Sequence, residues 1–290
     1  MQGFITSLNG GLYIVYDGKN FYRCKARGLF RLKEISPMVG DNVDFEPDGT
    51  NNGSITDVKP RVNQLIRPPL ANVEQVVIIV SLSHPKISLG LVSRYIVVSS
   101  CANLKPIILI NKVDRDDLEQ EYYDHVYTVL TGFGYQVIPV SAKSGFNLEL
   151  VKSLFIGKKT VITGQSGVGK STLLNKIFDN EKLETNEISV SMGRGKHTTR
   201  VVEYFKYGDA FIADTPGFSY IEFTISTNEL ACIYPGFEPY LNVCKFRGCL
   251  HEHEIGCGVK KDVEKGIIAR DHYEDYLSLL EEFKNRKERY

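Results

Sequence analysis

The sequence predicts an α/β fold on a mostly parallel sheet, with a small all-β domain before it and a short, largely helical, Cys/His-bearing segment after it. Three observations predict this. Residues 1 to about 66 alternate short β-like runs with Gly, Asn and Asp turns, and no helix-length periodic stretch interrupts them. From about residue 70, apolar runs alternate with helix-length stretches, the texture of strands buried on both faces of a parallel sheet. After Phe218 that texture stops, Cys244, Cys249 and Cys257 gather near histidines, and the chain from about Lys260 reads as charged amphipathic helix.

Bulk properties bound the rest. At 290 residues the chain has room for two domains, or one medium domain with two small additions. Its 42% apolar and 24% charged residues are those of an ordinary globular protein. Lys and Arg (35) balance Asp and Glu (35), so any nucleic-acid contact must come from a local patch and not from an overall basic field. Met1–Gly10 lacks the basic start and apolar run of a secretion signal, and no apolar stretch nears the roughly 20 residues of a membrane span. A cytoplasmic protein without membrane contact is expected.

In the N-terminal region, Gly11–Tyr16, Asn20–Lys25 and Asn42–Phe45 read as strands of a small barrel or sandwich. Lys19, Arg23, Lys25, Arg27, Arg31 and Lys33 form a basic run with no acid until Glu34. On a strand, Arg23, Lys25 and Arg27 share one face, with Phe21 beside them as a stacking ring. In the α/β region, Val76–Val80, Ile107–Ile110, Val137–Val140, Thr160–Thr163, Val201–Phe205 and Ala210–Ala213 read as strands.

The chemistry sits where those strands end. Gly164-Gln165-Ser166-Gly167-Val168-Gly169-Lys170-Ser171 fits G-x-x-x-x-G-K-[ST], preceded by a strand and continued by Thr172 into a helix. Glycines let backbone N–H groups turn inward around phosphate at a helix N-terminus. Lys170 should reach the β- and γ-phosphates, and the Ser171 hydroxyl should ligate Mg²⁺. Asn111-Lys112-Val113-Asp114 follows the strand Pro106–Ile110. A carboxylate there accepts from the N1–H and N2–H₂ donors of guanine, a pair that adenine lacks. Asn111 can tie this loop to the phosphate loop, and the Lys112 stem can cover the base. Ser141-Ala142-Lys143, after Val137–Val140, is the companion loop for the guanine oxygen. Asp214-Thr215-Pro216-Gly217 ends the strand Ala210–Ala213; Asp214 can hold Mg²⁺ through water and the Gly217 N–H can meet the γ-phosphate. In Met192–Arg200, Thr198 or Thr199 is expected to sense the γ-phosphate through Mg²⁺. Phe218 stands where many GTPases carry a water-orienting glutamine. Intrinsic turnover should therefore be slow, with His197 as a candidate for orienting water.

These motifs specify a P-loop GTPase core that binds GTP and GDP, and their order is rotated. The base-reading loops (111–114, 141–143) precede the phosphate loop (164–171) and the switches (near 198, and 214–217), so the fold is circularly permuted. Moving termini over the surface of a packed domain leaves its sheet unchanged. Downstream, Cys244-x4-Cys249-x-His251-x5-Cys257 makes a closed Cys₃His set for one tetrahedral, structural Zn²⁺ per chain. His253 competes with His251, and the donor chemistry alone leaves that choice open.

Rotated order, β-type N-terminal domain and terminal Cys/His set together resemble the RsgA (YjeQ) family of small-ribosomal-subunit-dependent GTPases, across essentially the whole chain. Besides the motifs above, Gly193-Arg194-Gly195-Lys196-His197-Thr198-Thr199 carries the likeness, and Pro37-Met38-Val39-Gly40-Asp41-Asn42-Val43 looks like that family's OB-fold barrel. The resemblance implies an OB-fold RNA-binding domain over residues 1–66, a permuted GTPase domain over 67–222 and a zinc-binding domain with a C-terminal helix over 223–290. It favours His251 as ligand. It further implies a monomer that acts late in small-subunit maturation, contacts ribosomal RNA and is stimulated by the subunit. The alternative is a GTP-dependent RNA-binding scaffold in which turnover is incidental.

Overall fold

A computed structural model describes residues 1–26, 36–49, 51–66, 68–178, 202–214 and 225–287, with only the backbone of Asp214, Arg286 and Lys287. The chain divides into two compact units. One comprises Met1–Val77, Asn147–Thr163 and Lys170–Ser219; the other comprises Ile78–Phe146, Gly164–Gly169 and Tyr220–Tyr290.

In the first unit, β1 (Gln2–Asn9), β2 (Leu12–Tyr16), β3 (Phe21–Ala26), β4 (Asn42–Pro47) and β5 (Asn52–Val58) close a barrel in the order β1-β2-β3-β5-β4. Only β3 and β5 run parallel, and β4 closes on β1, which is the OB-type arrangement. Strand alternation sends Ile5, Val15, Cys24, Phe45 and Ile55 into a fully buried interior. The same alternation leaves Phe21, Arg23 and Lys25 on the outer face of β3. Phe21 is not a free ring, however. It rests on Tyr16 with centroids 4.7 Å apart and is half-buried.

The turn Pro37–Val43 is fixed from two sides. Gly40 has φ +91°, and a Cβ there would lie 2.0 Å from the Ala71 carbonyl oxygen, so only glycine fits. The fully buried Asp41 accepts two hydrogen bonds from Arg61, Nε to Oδ1 at 2.7 Å and Nη2 to Oδ2 at 2.9 Å. Such a planar, bidentate pair fixes orientation as well as charge.

The same unit holds the short hairpin of β6 (Gln64–Leu65) and β7 (Leu70–Ala71). It also holds β11 (Lys159–Thr163), which pairs in parallel with β13 (Ala210–Asp214), and β12 (Phe205–Tyr207), antiparallel to β13. The expected strand Val201–Phe205 is thus displaced toward the C-terminus. Val201 lies outside the described residues; Glu203 bridges Ser7 and the Tyr204 N–H bonds to Thr6 of β1, so pairing with β13 starts only at Phe205.

In the second unit, β9 (Ile107–Asn111) and β10 (Gln136–Val140) pair in parallel over five residues, and β8 (Gln75–Ser81) contributes Ile78–Ser81. Helix α1 (Leu89–Cys101) starts on the Ser88 hydroxyl, which accepts the Leu91 N–H at 3.2 Å. Helix α2 (Gln120–Gly132) lies between β9 and β10 in sequence. Two further helices, α3 (Leu148–Phe155) and α4 (Lys170–Ile177), belong to the first unit.

The tail folds as α5 (Thr227–Ile233), started by a Ser226/Glu229 capping box, then α6 (Gly258–Glu264) and α7 (Arg270–Lys287). Its core is shared with α1, since Leu230, Tyr234, Phe237, Tyr276 and Leu280 cluster with Val97. An ion pair from Arg94 to Glu282 at 2.7 Å ties α1 to α7. Gly90 meets the carboxylate of Asp275 so closely that a Cβ would stand 2.4 Å from it.

Beside that core, His272 is fully buried, packs with tilted rings against Tyr234 and Phe133, and meets the Pro235 carbonyl through Nε2 at 2.9 Å. Burial outweighs that contact and lowers its pKa from 6.5 to about 4. The folded state therefore favours the neutral ring. Its contribution is complete above pH 6.5 and drains away as pH falls from 6.5 toward 4. Between pH 7 and pH 5 this group alone should cost about 2 kcal/mol of stability. Urea titrations of wild type and His272→Gln at both pH values check this, and equal pH slopes would refute it.

Candidate functional site

The phosphate-binding sequence forms a tight turn between β11 and α4. Gly164, Gly167 and Gly169 all have positive φ (+147°, +83° and +94°). Two of them also make room. A Cβ on Gly164 would lie 2.0 Å from the Ile79 carbonyl oxygen, and one on Gly169 would lie 2.6 Å from Asn111 Nδ2. The glycines at 164 and 169 thus make room for neighbouring protein groups. Val168 is buried, Ser166 and Gly167 are exposed, Gln165 is half-buried, and Lys170 opens α4 with Ser171 and Thr172 exposed on its first turn.

The base-reading loops stand at the carboxyl ends of adjacent parallel strands, because register pairs Asn111 of β9 with Val140 of β10. Asn111 is buried, and its Nδ2 donates to the Val168 carbonyl at 2.9 Å. Its Oδ1 accepts the Ala142 N–H at 3.3 Å. One amide thereby holds three loops. Lys112 takes a left-handed backbone (φ +67°), and its ammonium donates to the carbonyls of Gly167 at 2.7 Å and His84 at 2.6 Å, which pins the stem. Val113 continues the loop with its N–H 3.5 Å from the Val140 carbonyl. Ser141 donates to Asp114 Oδ1 at 2.5 Å while accepting the Ser144 N–H at 3.0 Å, so the carboxylate is oriented before any ligand arrives. Lys143 is exposed.

Sequence reasoning missed His84 and Ser144. The sequence signal for His84 was the Ser83-His84-Pro85 turn directly after the apolar strand β8, at the carboxyl end where such sheets bind ligands. Asp214 ends β13 opposite Ile162 of β11, in the same unit. His197, Thr198, Thr199 and Gly217 lie outside the described residues, as do Phe218, Arg27, Arg31 and Lys33.

The Cys/His set converges. One ligand atom from each of Cys244, Cys249, His251 and Cys257 falls within 4.8 Å of every other. His251 Nδ1 is 3.6 Å from Cys244 Sγ and 3.4 Å from Cys257 Sγ, and those two sulfurs are 4.0 Å apart. A tetrahedron with Zn–S bonds of about 2.3 Å has edges of about 3.8 Å, so the set has the size zinc needs. The competing His253 has an 87% exposed side chain and stands beside Glu252, which separates the two histidines. Burial pushes the Cys249 thiol up to about 12, and it raises Cys257 as well. Thiolates at these positions therefore call for a bound cation. Phe237 packs edge-on to His251, and the Tyr273 and Tyr276 hydroxyls donate to the carbonyls of His251 and Leu250, which fixes the loop that carries the imidazole.

Known proteins match this architecture along the whole chain. The family model of the RsgA GTPase matches residues 58–224, and that of the RsgA N-terminal domain matches residues 2–55. A small ribosomal subunit biogenesis GTPase RsgA 2 of Oceanobacillus iheyensis is 46% identical, covering 99% of this chain and 98% of its own. Its namesake from Listeria monocytogenes is 42% identical over the full length of both. Among solved structures, YloQ, described as a circularly permuted GTPase, superposes with a TM-score of 0.81 at 34% identity over 98% of this chain and 95% of its own. YjeQ from Thermotoga maritima gives 0.84 at 32% identity, over 97% and 98%.

Two outcomes follow from the geometry. Asp114→Asn replaces an oriented carboxylate by an amide that cannot accept from both guanine donors, so GTP affinity should fall about 10- to 100-fold, as measured by calorimetry. Unaltered affinity would remove Asp114 from the base site. Cys257→Ser should lose zinc, read by mass spectrometry of the purified protein, and lower the unfolding midpoint; a full metal content would count against the cluster as the metal site.

Proposed function

The chain belongs to the RsgA family of GTPases, and from that premise we propose that it hydrolyses GTP to GDP and phosphate during maturation of the small ribosomal subunit. The observation that carries this reading is the Asn111 amide bonded to the phosphate-loop carbonyl of Val168, which couples base recognition to phosphate binding. Guanine is selected by Asp114, held by Ser141; Lys112 covers the base; the backbone of the Ser141-Ala142-Lys143 loop contacts its oxygen. The amides of Gly164–Gly169 and the Lys170 ammonium take up charge that builds on the β- and γ-phosphate oxygens. Ser171 and Asp214 would hold Mg²⁺, which would supply charge neutralisation at the transferring phosphoryl group. Thr198 or Thr199 and Gly217 sense the γ-phosphate, and His197 orients water in place of the glutamine that Phe218 displaces.

We read residues 1–66 as an OB-fold RNA-binding domain, 67–222 as the permuted GTPase domain and 223–290 as a domain organised by one Zn²⁺ on Cys244, Cys249, His251 and Cys257. The outer face of β3, with Arg23 and Lys25, suits the phosphates of ribosomal RNA. The protein is a cytoplasmic monomer on this reading; no helix among the described residues is long and apolar enough to cross a membrane.

A second reading, a GTP-dependent RNA-binding scaffold with incidental turnover, is favoured by Phe218 alone. Phosphate release from GTP, measured with and without purified small subunits, separates the two. Strong stimulation supports the enzyme, and its absence supports the scaffold. Lys170→Ala should abolish turnover in either case, and retained hydrolysis would show the phosphate loop to be misassigned.

A further inference from the structure

Strand β1 makes an unusual connection outside the barrel. Its pairing with β2 slips between Ile5 and Ser7, so Thr6 is an extra, bulged residue. The Thr6 hydroxyl turns to the Ile14 carbonyl at 3.2 Å, and its own carbonyl accepts the Tyr204 N–H at 2.8 Å. Beside it, Ser7 forms an isolated antiparallel bridge with Glu203. Bulges re-aim backbone groups, and this one hands a barrel carbonyl to the chain that enters the β12–β13 hairpin.

Aromatic rings complete the joint. Phe4 stands edge-on to Phe211 of β13 at 4.8 Å and to Tyr204 at 6.2 Å. Tyr16 meets Phe211 at 5.2 Å and Phe21 of β3 at 4.7 Å. A continuous path of packed rings therefore runs from the outer face of β3 to β13. Tyr204 follows Thr199 by five residues, and Phe211 precedes Asp214 by three. The barrel thus grips the hairpin close, in sequence, to both segments expected to sense the γ-phosphate.

We propose that Phe4 is a positioning residue for the subunit-stimulated increase in turnover and not for the basal reaction: through it the barrel holds the Glu203–Asp214 hairpin, so that RNA seated on β3 sets how far the rate rises. The inference rests on the ribosomal reading above and adds the route by which the subunit acts. Packed contacts with a shared element are the physical means by which two sites bias each other.

The test uses the full-length protein, GTP and purified small subunits. In Phe4→Leu, basal turnover should stay within about twofold of wild type while stimulation at saturating subunit falls about tenfold or more, the span of typical coupling energies. Subunit affinity should hold, so the loss lies in kcat, and Phe4→Tyr should restore stimulation. A folded Phe4→Leu with full stimulation overturns the proposal. Hydrogen exchange on the wild type gives an independent reading if that variant does not fold. Subunit binding should slow exchange of amides 203–213, and unchanged exchange there overturns the proposal equally. A wild type that subunits do not stimulate removes the ribosomal reading itself, and this inference with it.

Discussion

One hydrogen bond organises the nucleotide site. The Asn111 amide reaches the Val168 carbonyl across a gap that exists only because residue 169 has no Cβ. A side chain at Gly169 would push the amide away, and the base-reading loop would lose its fixed distance from the phosphate loop. Buried amides need their partners, so this contact also fixes Asn111 Oδ1, which takes the Ala142 N–H. The Lys112 ammonium repeats the tie on the outside, between the Gly167 and His84 carbonyls. The two loops are thereby tied to each other by side-chain hydrogen bonds instead of standing independently, and fixed contacts of this kind are what preorganised catalysis requires.

Other parts of the chain show the same economy of contact. Asp41 and Arg61 lock the turn that closes the barrel, and Thr6 departs from the barrel ladder only to bond Tyr204. In the tail, Cys249 and Cys257 of the Cys/His set belong to the apolar cluster that includes Val97 of α1, so that set and the helix packing share one core. Short helices such as α5 and α6 have too little apolar surface to stand alone, and a Cys₃His set of the size that zinc needs lies in the same core.

Rotating the motif order alters connectivity more than chemistry. The β10–β9 pair keeps its loops at the carboxyl ends, where any parallel sheet presents them. The next described element after β13 in the sequence, however, is α5, followed by the Cys/His loop. The hairpin that leads into Asp214 is held by β1 through Ser7 and Thr6. Permutation therefore places the Asp214–Gly217 motif directly before the Cys/His-bearing segment in the sequence.

Much of this was legible beforehand because local chemistry demanded it. Phosphate loops need glycine, guanine needs a carboxylate, and zinc needs thiolates at short spacing; each demand is met within a few residues, so the sequence alone determined the motifs, their rotated order and the strands that carry them. Tertiary structure decided what depended on distant partners. His251 and His253 are chemically alike, and only folding turned one into the cluster and left the other in solvent. Phe21 looked free on its strand until Tyr16 covered it, and Val201–Phe205 looked like one strand until β1 claimed Glu203 and Tyr204. Periodicity and spacing record which groups a segment carries, whereas the partner a group meets is set by segments far away in the chain.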